Sequence, residues 1–142
     1  FRFSFSFAVA SIFALFHDFI LTAFLISLLN IEITLSSIAA ILTVIGYSVN
    51  DTIVIFDRVR ENLKNLSQPL QEVIQISITQ TLSRTILTVI TVLIVLIPLY
   101  FLGGIEIKDF ALIMILGVGL GTYSSIFYAP YLMYMFNKGK NK

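Results

Sequence analysis

The sequence predicts an all-α membrane protein, a polytopic bundle of four transmembrane helices in a single domain that covers residues 1–142. Of the 142 residues, 58% are hydrophobic and only 12% are charged, and the mean hydropathy is +0.97. A soluble domain carries about 25% charged residues, so a chain this apolar needs lipid as its solvent. Four separate stretches each supply the roughly 20 apolar residues that a spanning helix requires.

The predicted spans run from about residue 3 to 29, 35 to 56, 77 to 102 and 110 to 136. The connection at 57–76 is longer and more charged than the others, so we expect a loop at the membrane surface. Within it, Ser67-Gln68-Pro69 is typical of a helix start, and we expect a short surface helix that leads into the third span. Gly103-Gly104 ends that span, and the next turn is expected to hold Glu106, Lys108 and Asp109.

Basic residues predict the orientation of the spans. Lys108 lies on one side of the membrane, and the other side receives Arg2, Arg58, Arg60, Lys64, Lys138, Lys140 and Lys142. Because basic residues stay on the cytoplasmic side, we expect both termini and the loop at 57–76 in the cytoplasm. The chain begins at Phe1 rather than at a methionine, and we expect further elements upstream.

Asp51 is the ionisable residue that is hardest to explain in an apolar helix. It lies six residues before Asp57, where the second span is expected to leave the membrane, and this spacing corresponds to roughly 9 Å of depth. Helical spacing places Tyr47 and Ser48 on the same face, with Asn50 and Thr52 beside it. A charge at the centre of a spanning helix costs about 2.5–3.5 kcal/mol and usually marks a transport path. The alternative is a polar cap near the helix end.

Arg84 is the second such residue, and it lies in the third span. A polar stripe at helical spacing includes it: Ser77, Gln80, Thr81, Arg84, Thr88 and Thr91. The stripe should face other helices rather than lipid. Because the second and third spans are antiparallel, Asp51 and Arg84 lie at comparable depth, and a direct or water-bridged pair is expected. Alternatively, Arg84 extends its side chain to the cytoplasmic headgroups.

The two residues together suggest a proton carrier. Burial favours a protonated carboxyl at Asp51, and a neighbouring Arg84 favours the anion. We hypothesise that their pairing alternates between two conformations, so that proton uptake is coupled to helix rearrangement.

Further polar and small residues lie in the first and fourth spans. Ser11, Ala14, Asp18 and Thr22 share one side of the first span, and His17 adjoins Asp18. The His17-Asp18 pair either relays protons or forms a hydrogen bond that locks helix packing. Gly117 and Gly121 are spaced for close helix contact, and Pro98 and Pro130 are candidates for kinks.

Other chemistries have little support in the sequence. The chain has no cysteine and one histidine, which argues against a metal site, and no cofactor is expected. An intramembrane aspartyl protease would need two apposed aspartates. Asp18 and Asp51 could meet, but the segment around Asp51 lacks the Gly-x-Gly-Asp pattern of those enzymes, so we expect no enzymatic activity. The net charge of +1 gives no sign of nucleic-acid binding.

The segment GYSVNDTIVIFDRVREN at residues 46–62 resembles the signature of the SecF family of bacterial protein-export membrane subunits. Three further segments are similar to the same family, in the same order along the chain: Ala14-Leu15-Phe16-His17-Asp18, Ser83-Arg84-Thr85, and residues 117–125. The resemblance covers nearly the whole chain.

The resemblance implies a membrane domain of the resistance-nodulation-division type, in which this chain would supply the third to sixth of six spans. It implies a partnership with SecD, the SecYEG translocon and the exported polypeptide in the bacterial cytoplasmic (inner) membrane, driven by the proton-motive force. The family's proton-path acid and arginine would map onto Asp51 and Arg84, with a further acid from SecD. The supporting polar residues would be His17, Asp18, Tyr47, Ser48, Asn50, Thr52 and Thr88.

Two alternatives stay open. A related proton-driven exporter of small molecules or lipids could use the same arrangement of helices, although the Asn-Asp-Thr motif with its basic continuation argues against it. A purely structural assembly subunit would need no proton movement.

Overall fold

The structure, a computed structural model, describes residues 2–138 and the side chains of residues 5–137. Over this range the chain forms α1 (Arg2–Leu28), α2 (Leu35–Asn65), α3 (Leu70–Leu102), α4 (Ile105–Tyr123) and α5 (Ala129–Lys138). A π-helical segment, Ser124–Tyr128, joins α4 directly to α5; we call it the π turn. The predicted all-helical fold is confirmed, and four helical stretches are long and apolar enough to cross a membrane: Phe5–Leu28, Leu35–Asn65, Leu70–Leu102 and Ile105–Asn137.

Most of the predicted loop at residues 57–76 is helical, which corrects the prediction. α2 continues to Asn65 and α3 begins at Leu70, directly after Pro69 as predicted, so residues 66–69 alone connect them. The expected surface helix is therefore the first part of α3. The charges after Asp57 end the apolar segment, but Arg, Glu and Lys are good helix formers. At 31 residues, α2 is about 46 Å long against a hydrocarbon core of about 30 Å, so its charged end extends past the core.

The other two connections are short. The α1–α2 connection turns at Asn30, whose φ of 52° is a conformation that Asn tolerates better than most residues, and Thr34 and Ser37 then form a capping box at the start of α2. The α3–α4 connection needs only Gly103 and Gly104. The prediction that Glu106, Lys108 and Asp109 lie in this turn is wrong, because all three belong to the first turns of α4.

α2 lies at the centre of the bundle and packs against α1, α3 and α4. One apolar cluster joins α1, α2, α3 and α5 around Ile55, Val59 and Met133. A second cluster joins α1, α2, α3 and α4 around Val44, Leu96 and Val118. The central position of α2 means that its buried polar residues contact other helices rather than lipid.

Glycines allow α4 to approach α2 closely. A Cβ atom added at Gly117 would overlap the side chain of Val44, and one at Gly121 would lie 3.1 Å from Cβ of Ser48. Without a Cβ at either position, the two backbones come together along one face of α4. Gly119, on the other face, has no side-chain or backbone neighbour within 4 Å of such an atom.

The two prolines inside helices have different surroundings. α3 is unbroken at Pro98. Pro130 is the second residue after the π turn, where the N–H of Ala129 donates to the carbonyl of Ser124, five residues earlier. A proline lacks an N–H and its ring clashes with the carbonyl four residues before it. Widening the helix just before Pro130 relieves this clash, which explains the location of the π turn.

The outer faces of α1 and α3 are apolar and suit contact with lipid or with other membrane helices. Large side chains project outward there, including Phe16, Phe24, Leu87, Ile94 and Phe101. A protein that exposed so large an apolar surface to water would aggregate. The exposed side chains therefore agree with a multi-pass membrane protein.

Candidate functional site

Asp51 lies in the interface between α2 and α3, with 7% of its surface exposed. The hydroxyl of Thr85 on α3 donates to its Oδ1 atom at 2.9 Å. The Oδ2 atom is buried and accepts no hydrogen bond from any group that the structure describes. A buried carboxylate oxygen without a donor is costly, so this atom is either protonated or ready to accept another partner.

Arg84 does not form the direct ion pair with Asp51. Among the side chains of residues 5–137, the two ion pairs within 4.0 Å are His17–Asp18 and Arg58–Glu61. The Arg84 side chain is exposed, although it remains close enough to Asp51 to interact electrostatically. The residue that contacts Asp51 is Thr85, which follows Arg84 in the sequence. Successive residues point about 100° apart around a helix, so the two side chains face different directions.

Only part of the predicted polar stripe on α3 faces the other helices. Ser77, Thr81 and Thr85 are buried at i, i+4 and i+8, while Gln80, Arg84 and Thr91 are exposed. The hydroxyl of Thr88 bonds to carbonyls of its own helix. Thr85 is therefore a site residue that the sequence analysis missed, and the regular spacing of four from Ser77 is the signal that could have identified it.

Asp18 is a second buried carboxylate, with 1% of its surface exposed. The hydroxyl of Ser48 on α2 donates to its Oδ2 atom, and Nδ1 of His17 lies 3.2 Å from its Oδ1 atom. Ser48 precedes Asp51 by one helical turn, so α2 contacts α1 and α3 through polar groups at almost the same level. Thr22 bonds to the backbone of its own helix, at the carbonyl of Asp18.

The π turn completes this polar layer. Ser125 donates to the carbonyl of Ser48 at 3.3 Å, and its hydroxyl lies 2.9 Å from that of Thr52. The ring of Tyr128 stacks on His17 with a centroid distance of 4.2 Å. Ser125 and Tyr128 were not among the predicted site residues, because the widened helix turn that directs them toward α1 and α2 could not be predicted.

Among the described residues, two other predicted side chains form no hydrogen bond with the carboxylates. Asn50 is exposed on α2. The hydroxyl of Tyr47 is buried and has no hydrogen-bond partner among the described residues. The structure thus brings Asp18, Ser48, Thr52 and Asp51 into one layer and leaves Asn50, Thr88 and Arg84 outside its direct hydrogen bonds.

A polar clamp joins α2 and α3 nearer their connection. The Asn62 amide donates to Ser77 at 2.8 Å and to Gln80 at 3.0 Å. Arg58 donates to Gln80 at 2.7 Å and to Glu61 at 2.6 Å. The contacts Asn62–Ser77 and Asp51–Thr85 lie on the same antiparallel interface, so this clamp fixes the register that brings Thr85 to Asp51.

Comparison with known proteins gives a consistent result. Residues 1–139 match the family model described as "Protein export membrane protein SecD/SecF, C-terminal". The chain is 50% identical over 134 residues to protein translocase subunit SecF of Haemophilus influenzae, and the match covers 94% of this chain. It is 48% identical over 128 residues to protein translocase subunit SecDF of Thermus thermophilus, covering 89% of this chain.

A solved structure shows the same arrangement of helices. The crystal structure of SecDF in a super-membrane-facing form matches 99% of this chain with a TM-score of 0.91 and 45% sequence identity. The chain is shorter than each of these proteins. It spans 41% of the Haemophilus SecF, 17% of the Thermus SecDF and 19% of the crystallised SecDF chain.

Proposed function

Since this chain belongs to the SecD/SecF family of protein export membrane proteins, we propose that it is part of a membrane subunit that uses the proton-motive force to assist Sec-dependent protein export. The observation that supports proton coupling is the environment of Asp51. Its carboxyl group is buried between α2 and α3, with one oxygen bonded to Thr85 and the other unpartnered among the described residues. The unpartnered oxygen leaves this carboxyl group free to take a new partner when its protonation changes.

The neighbouring residues Thr85 and Arg84 offer Asp51 two different partners. A neutral hydroxyl suits a protonated carboxyl as well as an anion, whereas a guanidinium favours the anion. In this structure Thr85 makes the contact and Arg84 stays exposed. We propose that loss of the proton draws Arg84 to Asp51, and that proton uptake restores the contact with Thr85.

This exchange of partners would move α3 relative to α2. The two helices are hydrogen-bonded at Asn62–Ser77 and, further along the same interface, at Asp51–Thr85, so a change at Asp51 would be transmitted to the second contact. α2 also bonds to α1 through Ser48 and to the π turn through Thr52. A proton cycle at Asp51 would therefore rearrange the whole bundle, which is what coupling to mechanical work requires.

Membership of the family supports a proposal about the partners. We propose that the full subunit works with SecD, which would supply a further acid, and with the SecYEG translocon and the exported polypeptide. We further propose the cytoplasmic membrane as its location, with both termini of this segment on the cytoplasmic side. The purely structural subunit is the alternative, since the same interhelical hydrogen bonds would stabilise a static bundle.

A measurement of proton flux in proteoliposomes distinguishes the proton-coupled subunit from the purely structural one. The full-length subunit reconstituted with SecD should carry protons when a potential is applied, and Asp51→Asn should abolish this flux because an amide does not exchange protons at that site. Asp109→Asn is the matched control, since it makes the same chemical change in the first turns of α4. A flux that survives in Asp51→Asn would leave the structural subunit as the better description.

A further inference from the structure

An open groove runs between α1 and α2, and neither of the buried carboxylates lines it. It has a volume of about 210 Å³, and its apolar walls are Phe7 and Ala8 from α1 and Ile53 and Phe56 from α2. The rings of Phe7 and Phe56 pack against each other with a centroid distance of 5.2 Å. Ser11 also lines the groove, but its hydroxyl already donates to the carbonyl of Phe7. This part of the groove therefore suits an apolar chain.

Two opposite charges, Asp57 and Arg60, also line the groove on α2. They are three residues apart, so they are neighbours on one face of the helix. Both are exposed, and neither side chain forms an ion pair or a hydrogen bond within the part of the chain that the structure describes. The adjacent residues Arg58 and Glu61, in contrast, pair with each other at 2.6 Å. Asp57 and Arg60 are thus available to a ligand that carries both signs of charge.

The change from apolar to charged walls coincides with the expected edge of the bilayer. The apolar part of α2, from Leu35 to Phe56, is about 33 Å long, and the hydrocarbon core of a membrane is about 30 Å thick. Ile53 and Phe56 then lie among the lipid tails, whereas Asp57 and Arg60 lie at the level of the headgroups. A ligand that fills the groove must therefore have an apolar tail and a charged head, in the same order as a phospholipid.

We propose that this groove binds one phospholipid with an ethanolamine headgroup. An acyl chain lies against the rings of Phe7 and Phe56, and the headgroup contacts the charged pair. Arg60 offers a fork of N–H donors that matches the phosphate, and Asp57 accepts hydrogen bonds from the primary ammonium group. The site does not include Asp51, so the proposal goes beyond proton coupling and does not rest on it.

The charged pair determines which headgroup fits. All phospholipids offer Arg60 a phosphate, so this contact does not discriminate between them. A glycerol headgroup adds no cation, and Asp57 would repel its phosphate. A choline headgroup has a cation without N–H groups, so it cannot donate a hydrogen bond to the carboxylate. Selectivity for ethanolamine therefore depends on Asp57.

Native mass spectrometry of the full-length subunit purified with SecD tests the proposal. The complex in detergent is mixed with equal amounts of three phospholipids that share the same acyl chains and carry ethanolamine, glycerol or choline. Lipids released from the complex are identified by their masses. We expect the ethanolamine lipid to be retained about fivefold more than the glycerol lipid, a modest factor because charge pairs at an exposed surface are weak.

Three variants distinguish this groove from lipid bound elsewhere on the complex. Arg60→Gln should lower the retention of all three lipids, and Asp57→Asn should remove the preference for ethanolamine. Ala8→Leu should lower retention by filling the groove while both charges remain. Lys108→Gln and Asp109→Asn are the matched controls, since they remove a positive and a negative charge at the start of α4 and should leave retention and preference unchanged.

Equal retention of the three lipids, or a preference for the glycerol lipid, would overturn the proposal. The same holds if Arg60→Gln and Asp57→Asn behave like the two controls, or if Ala8→Leu has no effect. If the complex retains no phospholipid, another membrane segment covers the groove and the proposal fails. None of these results depends on proton flux, so they leave the proposed function to its own test.

Discussion

The contacts of Asp51 differ between its two carboxylate oxygens. Oδ1 accepts from Thr85, while Oδ2 is buried without a donor among the described residues. A site built only for stability would be expected to provide partners for both oxygens, as the structure does for Asp18 through His17 and Ser48. The incomplete set of partners at Asp51 is what a carboxyl group needs if it is to exchange partners during a cycle.

Removing the Thr85 hydroxyl should impair this cycle. In Thr85→Val the shape of the side chain is retained, but Asp51 loses the one direct hydrogen bond that the described residues give it, which is worth about 0.5–1.5 kcal/mol when the carboxyl group is protonated. We expect proton flux in proteoliposomes to fall by about tenfold, since 1.4 kcal/mol corresponds to a factor of ten.

The control for this prediction is Thr91→Val. The hydroxyl of Thr91 is exposed and bonds to a carbonyl of its own helix, so flux in that variant should match the unmodified protein. If Thr85→Val and Thr91→Val behave alike, Thr85 has no part in the proton cycle.

At the scale of helices, α2 is held from three sides by different kinds of contact. Against α4 the contact is steric, because Gly117 and Gly121 leave room for Val44 and Ser48. Against α1 and α3 the contact is polar, through Asp18–Ser48 and Asp51–Thr85. Membrane helices gain little from apolar burial because lipid is equally apolar, so close packing and hydrogen bonds determine which faces meet.

The steric contact predicts opposite outcomes for two nearby glycines. Gly117→Ala places a methyl group onto Val44, and overpacking of this kind costs about 1–3 kcal/mol of unfolding free energy. Gly119→Ala has open space around the added atom and should leave stability unchanged or slightly improved. Thermal unfolding of the purified full-length subunit in detergent measures both.

Val44→Ala should restore part of the stability of Gly117→Ala, because it removes the side-chain atoms that the new methyl group would meet. Equal melting temperatures for Gly117→Ala and Gly119→Ala would show that α4 does not pack against α2 through this face.

The polar contact between α1 and α2 predicts strong coupling between Asp18 and Ser48. Ser48→Ala removes the donor of this contact, and Asp18→Asn replaces the acceptor carboxyl group with an amide. Because each change weakens the same contact, the double variant should lose less stability than the sum of the two single variants, with an interaction energy of about 0.5–3 kcal/mol. Chemical unfolding in mixed detergent micelles measures the change in unfolding free energy for the two single variants and the double variant.

Thr22→Val is the control for this double-mutant comparison of Asp18 and Ser48. Thr22 is also buried on α1, but its hydroxyl bonds to the backbone of its own helix, so its effect should add to that of Ser48→Ala. Additive effects for Asp18→Asn and Ser48→Ala would mean that the contact between them contributes nothing to stability.

For the molecule as a whole, composition and hydrophobic segments were sufficient to predict the class of fold and the four spanning stretches. The predicted loop at 57–76 was wrong because the end of an apolar segment is not always the end of a helix. The charges after Asp57 end the apolar segment, but α2 continues to Asn65. At the site, the cost of a buried charge identified Asp51 and Asp18. The choice of Thr85 rather than Arg84 depends on the rotation of α3, which tertiary packing sets. Pro130 was expected to kink its helix, but whether it would do so through a π turn depends on space in the folded bundle.

Infrared difference spectroscopy of the reconstituted full-length subunit tests the central claim that Asp51 carries the transported proton. A step in pH, or in the applied proton gradient, should produce a carbonyl-stretch band of a protonated carboxylic acid in a buried environment. We expect this band to be absent in Asp51→Asn, shifted in Thr85→Val because its hydrogen bond to Oδ1 is lost, and retained in Asp109→Asn. A band that persists unchanged in Asp51→Asn would contradict the claim, because the proton would then reside on another group.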